Sequence, residues 1–214
     1  EMRHGTDSSQ CTVSYCLEDQ DPTAPAQLTI VRNRQPTAAT PTTSYEWKTS
    51  SSPLPLRWLW SWMPELERLG KDAKFIGTVT VDTVEGAGSN GKLVGSLQQV
   101  DLAELVSRSF PHHVLQGSSD IEFSCLRWHD NRMTEIDGKL TARQGLVGRS
   151  LLEAASHVGL EIPAGVVKLS TYRFGRITLG FHGRDELLHF GDEAQNPGAA
   201  IVVGGDSKQT KLLV

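Results

Sequence analysis

The sequence predicts a mainly β domain of the α+β class, a curved and mostly antiparallel sheet covered by two or three short helices. Apolar and polar residues alternate over several runs, as in strands with one buried face. Turn-forming Gly and Pro, 20 and 10 of 214 residues, separate these runs. The runs follow one another directly, which favours antiparallel pairing.

The clearest alternation begins in residues 74–84. Phe75, Val79 and Val81 share one face, and polar residues occupy the other. A Gly-rich turn follows, and residues 92–100 are expected to form the partner strand. This pattern is typical of a half-buried strand in a sheet with one wet face.

A second hairpin is predicted from residues 117–128 and 132–143. Its inward-facing residues are expected to be Ile121, Phe123, Cys125, Ile136, Leu140 and Ala142. Further short strands are expected at 27–31, 45–48, 166–170, 176–182, 186–190 and 199–203.

Three short helices are predicted between the strands. Residues 64–69 start with a proline and end at Gly70. Residues 101–104 and 150–153 each match a capping box, so a helix is expected to begin at both places, the second ending near Gly159. Asn90-Gly-Lys-Leu93 and Asp137-Gly-Lys-Leu140 precede these two helices, a faint internal echo.

The Pro, Ser and Thr content predicts two regions, a polar arm and loop over residues 1–55 and a β-rich globular domain over 56–214. Because the chain does not begin with Met, we interpret it as a fragment or a processed form. Cys11 and Cys16 either bridge locally or stay reduced. The third cysteine makes the count odd, so a disulfide-dense scaffold is excluded.

Charge and hydropathy exclude several classes of function. The net charge is −4 and the pI about 6.0, so the broad basic field expected of a nucleic-acid-binding protein is missing. No apolar run approaches the roughly 20 residues that span a bilayer. No catalytic motif was recognised, and no cofactor is expected.

One segment imitates a phosphate-binding loop. Gly86, Gly88, Gly91 and Lys92 match both G-x-x-x-x-G-K and G-x-G-x-x-G after a predicted strand. Leu93 stands where a Mg²⁺-binding Ser or Thr is required, and glycine weakens any following helix. A flexible hairpin loop is therefore favoured over phosphate binding.

For each of two further candidate sites, a purely structural interpretation is favoured over a functional one. Trp58, Trp60 and Trp62 could stack on a ligand, but an aromatic lid over the core is favoured. His182, Asp185 and His189 bracket a tight hairpin and could form a metal triad. Solvent-facing strand residues are the favoured interpretation there.

Residues from about 74 to 160 resemble the repeating modules of AsmA/TamB-type bacterial envelope proteins. The resemblance is carried by KFIGTVTVDTV, GKLVGSLQQVDLAELV, FPHHVLQGSSDIEFSCLRW and RMTEIDGKLTARQGLVGRSLLEAA. It implies a groove-like β-sheet in the periplasm or cell envelope, linked to lipid transport or assembly. It implies no catalytic residues.

The sequence therefore leaves two functional hypotheses. The first is a non-enzymatic envelope-associated module, structural or binding an apolar, lipid-like or protein partner. The second is a nucleotide- or phosphate-binding enzyme that uses the degenerate loop at Gly86–Lys92.

Overall fold

The computed structural model describes residues 2–4, 8–16, 25–34, 40–61, 63–130, 132–157, 170–185, 187–190, 200–203 and 210–213. These residues form one curved antiparallel sheet of 13 strands with short helical segments beside it. The predicted fold class is confirmed. The expected strand at 166–170 lies almost wholly outside the described residues.

The strands are β1 Met2–His4, β2 Ser8–Tyr15, β3 Ala26–Asn33, β4 Thr42–Lys48, β5 Leu54–Pro55, β6 Lys74–Val84, β7 Gly88–Asp101, β8 Leu115–His129, β9 Arg132–Gly148, β10 Thr171–Arg184, β11 Leu187–Phe190, β12 Ala200–Val203 and β13 Thr210–Leu213. The helical segments are the 3-10 helices η1 Leu56–Leu59 and η2 Pro64–Leu69, and the α-helices α1 Leu102–Ser107 and α2 Arg149–His157. The strands pair in the order β1-β2-β3-β4-β6-β7-β8-β9-β10-β12-β13, while β5 pairs with β6 and β11 with β10.

The predicted polar arm over residues 1–55 contains strands of this same sheet. β2, β3 and β4 pair in succession, and β4 pairs with β6 along its whole length. The strands predicted at 27–31 and 45–48 lie within β3 and β4, whereas β2 was not predicted from the sequence. Thr, Ser and Gln are acceptable strand residues once a neighbouring strand satisfies their backbone groups.

A side-chain bond joins β2 to β4 within this N-terminal part. The indole Nε1 of Trp47 in β4 donates to the hydroxyl of Tyr15 in β2, at 2.5 Å. Ala26 lies between them in β3 and is almost fully buried. Burial raises the pKa of Tyr15, and the bond from Trp47 partly opposes that rise.

The sheet has one apolar and one polar face, because side chains alternate along each strand. On the apolar face, the register places Phe75, Leu97, Ile121, Leu140 and Leu179 in one row across β6 to β10. On the polar face, Asp120 and Glu122 are exposed while Ile121 between them is buried. The predicted alternation is therefore present.

Helices cover one end of the apolar face and form two core clusters with it. The first cluster has at its centre Leu102, Ala142, Val147, Leu152, Tyr172, Phe174 and Ile177. The second centres on Leu56, Ala73 and Phe75, with Leu59 of η1 and Leu66 of η2 packed against it. Both lie where β6 and β8 begin and β7 and β9 end.

Cys125 departs from the predicted pattern. A register shift between Phe123 and Cys125 inserts one extra residue into β8. Such a bulge changes which face the following residues occupy. Cys125 therefore lies on the polar face, with its thiol 3.8 Å from Glu135 Oε2.

The predicted cap at Asp101 is confirmed. Asp101 caps α1, because its Oδ1 accepts bonds from the backbone N–H groups of Ala103 and Glu104 at 2.8 and 3.3 Å. The second box was wrong: α2 already begins at Arg149, and the Ser150 hydroxyl donates to the His112 carbonyl at 3.0 Å. The 3-10 helix η2 ends at Gly70 as predicted.

The internal echo has a structural counterpart. β7 and β9 each carry a glutamine with positive φ near their end, Gln99 at 57° and Gln144 at 56°. Each of these glutamines is the extra residue of a register shift against β8, and each strand then runs directly into a helix.

We expect Tyr15→Phe to lower the free energy of unfolding by about 1–3 kcal/mol, because the Trp47 indole N–H loses its acceptor in a partly buried place. Chemical denaturation measures the change. Tyr45→Phe is the matched control, since Tyr45 is 39% exposed on the same face. Equal effects of the two substitutions would show that this bond does not fasten β2 to the sheet.

Candidate functional site

The apolar face continues beyond the part that the helices cover. Six half-buried side chains form this continuation, which we call the open patch: Val81, Phe123, Leu126, Trp128, Ile136 and Phe181. They lie toward the hairpin turns that join β6 to β7, β8 to β9 and β10 to β11. None of them belongs to either helix-covered core cluster.

Cross-strand register places the patch on one face. Leu126 lies opposite Leu93 on one side and Ile136 on the other. Phe123 and Phe181 meet edge to face, with ring centroids 5.9 Å apart. Aromatic pairs in this geometry add about 0.5–1.5 kcal/mol beyond their burial. The patch is therefore a packed surface and not a set of independent exposed side chains.

Glycines on the facing strands allow these side chains to lie flat on the sheet. A Cβ atom at Gly91 would overlap the ring of Trp128, and one at Gly138 would lie 2.7 Å from Phe181 Cζ. A Cβ at Gly183 would lie 2.8 Å from Ile136 Cγ2. Large side chains covering glycines on neighbouring strands stabilise curved sheets. Here they produce a level apolar surface.

Exposed apolar side chains border the patch. Tyr45 is 39% exposed, Met133 37% and Leu188 46%, and each lies opposite a residue of the same face. From β6 to β10 the patch crosses four strand spacings, or roughly 19 Å. One leaflet of a bilayer has a hydrocarbon depth of about 15 Å, half of the full core. The patch is therefore long enough for an extended acyl chain.

The polar face directly behind the patch carries a charge cluster. Glu135 of β9 accepts from Arg127 of β8 at 2.9 Å and from Arg184 of β10 at 3.3 Å. The hydrogen bond from Arg184 is the main reason why the pKa of Glu135 is lowered, and the charge of Arg127 adds to it. The cluster joins three neighbouring strands, and the Cys125 thiol lies beside it, 3.8 Å from Glu135 Oε2.

The histidine hairpin that the sequence singled out lies on this polar face. His182 and His189 are directly opposite in the β10–β11 ladder, and His182 Nδ1 lies 3.5 Å from Asp137 Oδ2. Asp185 occupies the turn with φ 49°, where its backbone N–H donates to the Thr134 carbonyl at 3.1 Å. Among the residues that the structure describes, no group of three His, Cys, Asp or Glu is arranged to hold a metal ion. The metal hypothesis gains no support.

The glycine loop folds as the favoured alternative predicts. Residues 85–87 form a turn, and Gly88, Gly91 and Lys92 belong to β7, which continues as strand to Asp101. A Cβ at Gly86 would meet nothing within 4 Å. No helix follows Lys92, so the helix N-terminus that a phosphate-binding loop requires is absent from this place. The phosphate-binding residues of the second hypothesis therefore do not form such a loop.

The tryptophan-rich segment contributes leucines, not indoles, to the described core. Leu56 and Leu59 of η1 pack into the second core cluster, while Trp58 is 51% exposed. The Trp60 indole nitrogen is buried without a hydrogen-bond partner. Trp62 lies outside the described residues. Trp58 and Trp60, the two of these tryptophans that the structure describes, give the stacking hypothesis no support.

Sequence reasoning missed Leu126 and Trp128 of the patch. Leu126 and Trp128 follow the bulge in β8, so a strict period of two assigns them to the wrong or to no face. The glycines Gly91 and Gly138 were available as a signal, because a strand glycine often marks a place where another group approaches the backbone closely.

We expect Glu135→Gln to remove part of the acid sensitivity of folding. The folded-state pKa of Glu135 is lowered, so its ion pairs stabilise the fold above the unfolded pKa, and this is lost as the pH falls through the folded pKa. Urea denaturation between neutral pH and the acid range measures the slope. Glu122→Gln, on an exposed position of the same face, is the control. Identical slopes for wild type and Glu135→Gln would contradict the assignment.

We expect Lys92→Ala to leave ATP binding unchanged and negligible, because Lys92 is an exposed strand residue opposite Arg127. Isothermal titration of both proteins with Mg-ATP makes the comparison. Binding by the wild type that disappears in the variant would restore the phosphate-binding hypothesis.

Among the described residues, no helix has the length and hydropathy needed to cross a membrane. Comparisons with protein families, curated proteins and solved structures found no match to this chain.

Proposed function

We propose that this chain is a non-enzymatic, envelope-associated module that holds a lipid-like ligand by its acyl chain on the open patch. The observation that carries the proposal is the patch itself: a continuous apolar surface over four hairpin strands and β10 that neither core cluster absorbs. Exposed apolar surface of this extent usually marks an interaction site.

The shape of the patch favours a long, flexible apolar ligand. The rings of Trp128 and Phe181 lie over Gly91 and Gly138, so the described part of the surface is shallow there. Contact with such a surface gains free energy in proportion to the area removed from water, about 25 cal/mol per Å². An acyl chain lying across the strands contacts the whole row.

The opposite face of the same strands is polar and exposed to solvent. Arg127 and Arg184 each pair with Glu135 there, and the two arginine side chains are 54% and 68% exposed. A sheet with one polar, solvated face and one apolar face binds an apolar ligand on the apolar face only. The envelope location rests on the resemblance to AsmA/TamB-type modules, and a protein partner that delivers or accepts lipid is part of the proposal.

We expect Val81→Gln to weaken binding of the fluorescent fatty acid cis-parinaric acid about tenfold, because an amide then replaces apolar contact at the β6 end of the patch. Fluorescence titration measures the change, and native mass spectrometry of the purified protein measures retained lipid. Val94→Gln is a close control: Val94 lies on the neighbouring strand, is 39% exposed and faces the opposite side.

Thermal unfolding of both variants verifies that the sheet remains intact. No fatty-acid binding by the wild type, or equal weakening by the two substitutions in folded proteins, would overturn the proposal.

A further inference from the structure

A cleft, separate from the open patch, lies near the end of the sheet that the helices cover. It is a cleft of about 570 Å³ between the loop before β6, the end of β7, the start of α1 and the start of β8. Its lining includes the exposed residues Lys71, Asp72, Gln99, Asp101, Gln116 and Ser118. Small-molecule sites usually have volumes of roughly 300–1,000 Å³, so the cleft has room for one.

Two bulges lie beside this cleft, one on each neighbour of β8. In β7, Gln98 and Gln99 together oppose Asp120, and Gln99 has φ 57°. In β9, Gln144 is the extra residue opposite Gly117 and Ser118, with φ 56°. Bulges bend a strand and re-aim its side chains, and they are frequent beside binding sites. Non-glycine residues in this left-handed region also tend to cluster at such sites.

The loop before β6 closes the cleft on its third side. Gly70, with φ 92°, allows this loop to press against β7, since a Cβ there would lie 2.6 Å from Asp101 Cβ. Lys71 and Asp72 follow directly and reach the cleft. Asp101 in turn is held by its capping bonds to the first turn of α1. The walls are therefore held in place by backbone geometry and not by side-chain packing alone.

The chemistry of the lining indicates the ligand class. The amides of Gln99 and Gln116 and the hydroxyl of Ser118 each both donate and accept hydrogen bonds. One ammonium group faces two carboxylates, so the formal charge of the lining does not favour an anion. Among the lining residues that the structure describes, none is aromatic, which leaves a nucleobase without a stacking surface. We infer that the cleft binds a small neutral saccharide. This inference does not depend on the lipid proposal.

The test is an NMR titration of the whole chain with maltose, trehalose and N-acetylglucosamine, each compared with inorganic phosphate. We expect at least one sugar to shift the side-chain amide signals of Gln99 and Gln116, with a dissociation constant of about 1 mM. Gln116→Ala should weaken that binding about fivefold, since one hydrogen-bonding group is lost. Gln27→Ala is the matched control, an exposed glutamine on β3.

Val81→Gln should leave the sugar response unchanged, because Val81 lies on the apolar face, outside the cleft lining. No shift with any of the three sugars, a response to phosphate alone, or equal weakening by Gln116→Ala and Gln27→Ala would overturn the inference.

Discussion

The structure depends on one constraint, the register between successive antiparallel strands. Side chains alternate between the two faces of a strand, so a slip by one residue would move every apolar side chain of that strand into water. The row from Phe75 through Leu97 to Ile121 exists because each strand keeps step with the next. This register creates the apolar surface that the helices cover. It also places the side chains of the open patch in contact across neighbouring strands.

Bulges change this register at a few places. At those places side chains move from one face of the sheet to the other, or the strand bends. The extra residue in β8 turns Cys125 to the polar face and returns Leu126 and Trp128 to the apolar one. The two glutamine bulges bend β7 and β9 on either side of β8. Without the extra residue in β8, Leu126 and Trp128 would not lie on the same face as Ile121 and Phe123.

The two faces of the sheet contribute to the stability of the fold in different ways. Burial on the apolar face supplies the favourable free energy of folding, most strongly where helices exclude water. The polar face supplies cross-strand ion pairs such as Arg127–Glu135, which contribute modestly because they are exposed. The open patch and the cleft can therefore be altered independently, since no residue of the open patch is among the described residues that line the cleft.

The sequence by itself determined the fold class, because period-two alternation and turn glycines report directly on strands with one dry face. It also determined the cap at Asp101 and the hairpin at the glycine loop, which are local events decided within a few residues. Only the tertiary structure decided that β2, β3 and β4 join the sheet and that Trp128 covers Gly91, because both depend on residues distant in the chain. Bulges belong to the second group for the same reason: an extra residue is defined only against the strand that it faces.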